Sequence, residues 1–176
     1  MNTMRKYAIW IVGLGLAAFI IPSVVGSFGT FNENTKPSVQ QPKKPYEPPF
    51  RMDGTVWAVN NTDTVAIFRT EYAQTAESIE IGMMYRRNVA PDMAMLFFMP
   101  NGEQPRSFWM KNTLVSLDII YLNADGVIVS MQENAQPLST QSLPSTAPAA
   151  YVLEILGGTA ASAGLENGTK VYWTDK

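Results

Sequence analysis

The chain has 176 residues, 16% of them charged, with 13 Lys and Arg against 15 Asp and Glu for a net charge of −2. It contains neither cysteine nor histidine, which excludes disulfides, thiolate metal sites, a cysteine nucleophile, a lipidated N-terminal cysteine and any Ser-His-Asp triad. An ordinary zinc site would have to be built from carboxylates alone. The acidic balance, −4 once Arg5 and Lys6 are set aside, argues against nucleic acid as a partner.

Residues 1–29 read as a membrane-directing segment. Arg5 and Lys6 form a basic head, and Tyr7 through Asn32 carries no charge. About 20 apolar residues span a bilayer. A signal peptide has a shorter apolar stretch that ends in small residues. The run Ala8–Ile21 before Pro22 has that shorter length, and Val24-Val25-Gly26 is a conceivable cleavage site. The long uncharged run and the poor cleavage residue Gly26 favour an uncleaved signal anchor, with secretion after cleavage as the alternative. The basic head then predicts a single-pass protein of the inner (cytoplasmic) membrane, held by an N-terminal helix, with its domain in the periplasm or extracellular space. Lys36, Lys43 and Lys44 on the far side weaken that orientation signal. Residues 30–50 hold Pro37, Pro42, Pro45, Pro48 and Pro49 among polar residues and read as an extended linker.

One mainly β domain is expected over residues 51–176, α+β at the margin, as a compact sandwich or partly closed barrel of short strands. Strands are predicted at 55–59 and 64–70, joined through the turn composition Asn60-Asn61-Thr62-Asp63. A helix is predicted over 73–87, where Ala76, Ile79 and Met83 fall at helical spacing and Arg86 and Arg87 occupy the last turn. Strands at 95–99 and 108–112 follow. A hairpin is expected from 118–122 and 127–131 about Asp125-Gly126, whose residues supply the positive φ of tight turns. Residues 136–148, with three prolines, read as a loop. A strand at 151–156, a short helical turn at 159–164 closed by Gly164, and a last strand at 169–173 complete the domain.

The segments Ile81-Gly82-Met83-Met84-Tyr85-Arg86, Ala94-Met95-Leu96-Phe97, Ser107-Phe108-Trp109-Met110-Lys111-Asn112-Thr113, Leu117-Asp118-Ile119-Ile120 and Tyr151-Val152-Leu153-Glu154 with Gly157 occur in this order. Together they closely resemble the domain of unknown function 192 family over about residues 65–171. The resemblance implies an exported leader before one compact, mainly β domain. It implies no reaction, so no catalytic residue transfers. Ala94 departs from the pattern, which usually has glycine before Met-Leu-Phe; a glycine-only backbone is therefore in doubt there.

Trp109, Lys111, Asn112, Asp118, Glu154 and Arg86 are the candidate binding residues. On a strand from 108 to 112, Trp109 and Lys111 share a face, so the lysine could lie over the indole as a cation–π pair. Asp118, Glu154 and Arg86 are the groups that could complete a polar cluster beside it. Bland roles compete at each position: Lys111 laying its stem on Trp109, Asn112 capping a turn and Asp118 holding a loop. The leading expectation is a binding or accessory domain for an unknown small ligand or protein partner, anionic if Lys111 receives it. An enzyme using Lys111 or an Asp118–Glu154 acid/base pair is one alternative. The other is Cu(I) binding by the crowded Met83, Met84, Met93, Met95, Met99 and Met110, against which stands the usual role of methionine as core filler. No cofactor is expected.

Overall fold

The computed structural model describes residues 45–174; the leader and most of the linker lie outside the described residues. Nine strands and two short helices follow in order: β1 (Gly54–Asn60), β2 (Asp63–Ala73), α1 (Ala76–Ile81), β3 (Met93–Phe98), β4 (Ser107–Phe108), β5 (Leu117–Leu122), β6 (Ile128–Ala135), β7 (Leu143–Pro144), β8 (Tyr151–Leu156), α2 (Thr159–Ala163) and β9 (Lys170–Trp173). Seven strands make one mixed sheet in the order β6-β5-β8-β3-β2-β1-β9, while β4 and β7 pair separately. Every pairing in the large sheet is antiparallel except β2 with β3. Among the described residues no helix is long and apolar enough to cross a membrane.

The sheet curls until its edges touch. Val127 and Lys170 form an isolated bridge, and the Ile128 amide donates to the Thr169 carbonyl at 2.9 Å. One bridge is not a ladder, so the fold is sandwich-like rather than a closed barrel. Gly126 permits this approach. Its φ is +74°, and a Cβ there would lie 2.7 Å from the Val171 carbonyl oxygen.

Curling gives each face its own apolar cluster. Val56, Phe68, Leu96, Ile120, Leu153, Ile155 and Val171 fill one, with Ala160 of α2. Met83, Met95, Phe97, Met110, Ile119, Tyr121 and Val152 fill the other, beneath the loops that carry β4 and β7. Because both faces are covered, central strands bury successive residues rather than alternate ones. All six residues of β5 are buried.

The predicted helix over 73–87 is corrected to six residues. Ala73 belongs to β2, where it pairs with Phe97. Thr75 and Ser78 form a capping box at the start of α1. Gly82, with φ +48° and ψ −132°, ends it. Arg86 is therefore no helix-end residue. The strand predicted over 108–112 is likewise short: β4 stops at Phe108, and the Thr113 amide closes a turn onto the Met110 carbonyl at 3.0 Å. The loop at 136–148 contains β7.

Residues 45–50, the end of the expected linker, contact the domain. Glu47 accepts hydrogen bonds from the Arg87 amide at 2.8 Å and the Asn88 amide at 3.3 Å. Tyr46 meets Tyr85 edge-on, with ring centroids 6.2 Å apart. The compact unit begins at Pro45. Ala94 sits in an ordinary ladder, paired with Thr70 and Ile155 and fully buried, so this chain does not need glycine there.

Candidate functional site

Strand register sets the site. Glu71 of β2 pairs with Met95 of β3, Met95 with Glu154 of β8, and Glu154 with Ile119 of β5. This places two carboxylates in one cross-sheet row on the methionine-rich face. Arg86, delivered by the segment after α1, enters beside them, and its Nη2 lies 2.7 Å from Glu71 Oε1. Arg51 approaches the other Glu71 oxygen at 3.7 Å. Glu71, Arg86 and Glu154 are each at most 4% exposed.

The pairing is incomplete. Glu71 takes up the Arg86 charge, and Glu154 Oε2 is buried without a hydrogen-bond partner, as is Arg86 Nε. Burial pushes the Glu154 carboxyl up to about 8, against the opposing pull of the Met83 backbone amide and of Arg86. Glu154 therefore holds its proton at neutral pH. Tyr121, on the same face, is raised by its own burial and by Glu154, and its hydroxyl donates to the Leu143 carbonyl.

Glu154 lies at the floor of a cleft of about 240 Å³ between α1 and the β4 loop. Ile79 and Gly82 form one wall, Phe108 and Trp109 the other, with Phe97 and Met99 between them. Gly82 belongs here for space as well as for φ: a Cβ would come within 3.1 Å of Phe97 Cζ and 3.4 Å of Glu154 Oε2. A second hollow of about 340 Å³ opens beside Glu71, Arg86 and Arg51, bordered by Tyr46, Pro48 and Pro49.

The six residues singled out from sequence do not form one cluster. Trp109 is 46% exposed and walls the cleft, with Lys111 Nζ 5.0 Å from its ring centroid. The expected cation–π pair is present, although a turn rather than a strand brings it about. Met110 points inward and is fully buried, which throws its two neighbours outward. Lys111 does not line the cleft. Asn112, at φ +58°, donates through Nδ2 to the Tyr85 hydroxyl at 3.0 Å, and its carbonyl accepts from the Tyr85 amide at 2.9 Å. It joins two loops.

The Asp118–Glu154 acid/base pair is corrected. Asp118 pairs with Ile155 while Glu154 pairs with Ile119, so the two carboxylates point to opposite faces of the sheet. Asp118 Oδ1 accepts from the Asn134 amide at 2.8 Å and the Gly158 amide at 3.0 Å, and Oδ2 from the Ala160 amide at 2.8 Å. It holds the start of α2 and a strand end together. Of the crowded methionines, Met83, Met95 and Met110 are buried among apolar side chains and Met93 and Met99 pack against them, while Met84 lines the cleft and its sulfur accepts from Asn112 Nδ2 at 3.8 Å. Among the described residues no group of three or more carboxylates could hold a metal ion.

Glu71 is the residue that sequence reasoning missed. It sits between Thr70 and Tyr72 at the end of β2, where nothing local distinguishes it from a solvated strand glutamate. Its only signal is that β2 runs between β1 and β3 and so has no free edge.

Replacing Glu154 with glutamine tests the site's electrostatics. The folded protein holds this proton more tightly than the unfolded chain does. The stability it contributes is complete below pH 4.5 and is lost as pH rises to about 8. The variant should melt close to the native protein at pH 4 and well above it at pH 9, by up to a few kcal/mol. Thermal unfolding across this range, followed by circular dichroism, reads the difference; parallel curves would refute the buried protonated carboxyl.

Fold and cleft together define a small mainly β domain in which a buried row of ionisable groups lies beneath an apolar cleft. Residues 57–173 match the model of the DUF192 family, described as "Uncharacterized ACR", and the chain belongs to that family. A crystal structure of a protein of unknown function from Novosphingobium aromaticivorans is similar, with 34% identity and a TM-score of 0.64, over 68% of this chain and 84% of that one. A Sinorhizobium meliloti protein, provisionally named a transcription regulator, is similar at 36% identity and a TM-score of 0.65, over 68% of this chain and 92% of that one. No curated protein matches the chain.

Proposed function

We propose that this protein is a membrane-tethered, extracytoplasmic binding domain that receives a small ligand or a segment of a protein partner in the cleft between α1 and Trp109. The observation that carries this reading is the unpartnered Glu154 oxygen at the floor of an apolar hollow. A buried polar atom without a partner is costly, and a ligand that satisfies it gains affinity from that cost. The exposed indole of Trp109 beside it is the kind of side chain that anchors recognition. The uncharged leader behind a basic head supports the tether. The Sinorhizobium protein's name raises DNA binding, but a sequence pI of about 5.1 offers no electrostatic footprint for it.

Photo-crosslinking of the full-length chain in its own cells, followed by mass spectrometry, tests the cleft. Trp109→Ala should lose adducts that the native chain forms while its far-UV spectrum stays native. Lys111→Ala, which removes only an exposed cation–π contact of about 0.5–1 kcal/mol, should keep the fold and report whether the rim takes part. Identical adducts in the native chain and the Trp109 variant would remove the cleft as the binding surface. A C-terminal reporter that acts only in the cytoplasm would remove the location.

A further inference from the structure

We propose that the cleft takes a primary ammonium group on a short apolar stem, received by Glu154 at its floor. The inference rests on the binding reading above and names the chemistry of the occupant.

Charge complementarity points to a cation. The titratable groups lining the cleft are Glu80 and Glu154, and neither lysine nor arginine lines it. Deeper in, the Arg86 guanidinium is already engaged by Glu71, which also meets Arg51. Glu154 has no ion pair of its own within this group, and its Oε2 is a buried carboxyl atom without a hydrogen-bond partner. An anion would meet Glu80 with no lysine or arginine in the lining to offset it, and could not draw the proton off Glu154 as an ammonium does. A neutral apolar ligand would leave Oε2 as it is.

The walls fit the stem. Phe97, Phe108 and Trp109 offer aromatic surface and Met99 a thioether, a lining that accepts methylene groups and also attracts a cation. At about 240 Å³ the hollow falls below the span usual for drug-sized ligands, so a few methylenes fill it. Gly82 lines the cleft beside Glu154, and a Cβ there would crowd Phe97 Cζ at 3.1 Å and touch Glu154 Oε2 at 3.4 Å.

Protons balance simply. Glu154 gives its proton to solvent as the ammonium arrives, and the carboxylate so formed accepts a hydrogen bond from the ammonium nitrogen. The charged or titratable groups facing it are Arg86 and Glu71 along the row, Tyr121 on β5 and Glu80 at the rim. Burial holds the Tyr121 hydroxyl protonated well above neutral pH, so Glu154 is the group that gives up the proton.

The test is calorimetric titration of the full-length chain with n-hexylammonium, with n-hexanol and hexanoate as matched probes. Hexylammonium should bind at least tenfold tighter than either. Its affinity should rise from pH 6 to pH 8, and the heat should vary with the buffer's ionisation enthalpy because one proton is released. Glu154→Gln, expected to fold at least as well as the native chain, should erase the preference. An Nα-acetyl-lysine methylamide arm separates sources: tighter binding than hexylammonium assigns the ammonium to a protein side chain, and weaker binding to a free amine. Hexanol or hexanoate binding as well as hexylammonium, or a Glu154→Gln variant that retains the preference, overturns the proposal. In either case Trp109-dependent adducts would still stand for the cleft as a binding surface, so the two readings fail separately.

Discussion

Asp118→Ala should unfold the domain or cost it on the order of 4 kcal/mol. The native carboxylate is fully buried and accepts three backbone hydrogen bonds, from Asn134, Gly158 and Ala160. Hydrogen bonds to a charged group are worth about 1.5–3 kcal/mol each, and a buried donor left without an acceptor carries its own penalty. Non-additivity and local relaxation reduce the simple total. Asp118→Asn makes the account specific. Its amide oxygen can still serve Asn134 and Gly158, while its NH2 group faces the Ala160 amide donor to donor, so roughly half the loss is expected. Urea unfolding followed by tryptophan fluorescence measures both. An alanine variant within about 1 kcal/mol of the native protein would show that these amides find other acceptors.

Arg86→Met should cost about 3–5 kcal/mol, the usual consequence of removing one partner of a buried ion pair. Glu71 is 2% exposed and would keep only Arg51, at 3.7 Å. The decisive arm is the double variant Arg86→Met with Glu71→Leu. Replacing both charges with apolar groups often restores stability, because neither must then be kept out of water. Recovery of at least half the single-variant loss, in the same unfolding assay, is expected. A double variant that is worse than the arginine variant would mean that Glu71 serves the fold through contacts other than Arg86. The Asp118 variants leave the cleft's carboxyl untouched, because Asp118 lies on the opposite face of the sheet.

Local chemistry explains what was legible in the sequence. The strand Tyr151–Leu156 and the hairpin about Asp125-Gly126 stand where apolar runs and turn residues place them. Gly164 closes α2 with φ +66°. The helix over 73–87 was illegible because Ala73 serves both a helical and a strand pattern, and a parallel partner, β3, draws it into the sheet. Alternation gives the outward direction of Trp109 and Lys111, since inward and outward positions follow the buried Met110 whether or not the backbone remains a strand. The site was only half legible. Whether Asp118 and Glu154 share a face depends on the parity of a register between β5 and β8, strands joined through β6 and a long loop. A shift of one residue would have put them together. Glu71 carried no local mark, because its burial comes from β1 and β3 on either side.

The meeting of β1 with β9 has a consequence for how the protein is made. Val56 through Val59 pair with Lys170 through Trp173, the Tyr72 hydroxyl donates to the Thr174 carbonyl at 2.7 Å, and the Thr55 amide donates to Thr174 Oγ1 at 3.1 Å. As the chain is synthesised, one edge of β1 stays unpaired until residues 170–174 emerge, more than a hundred residues later. Such distant pairing slows folding, and an open strand edge invites association with other chains. A protein built this way depends on whatever shields its first hairpin during synthesis. Substitutions in β9 would then appear as lower yield before they appear as lower stability.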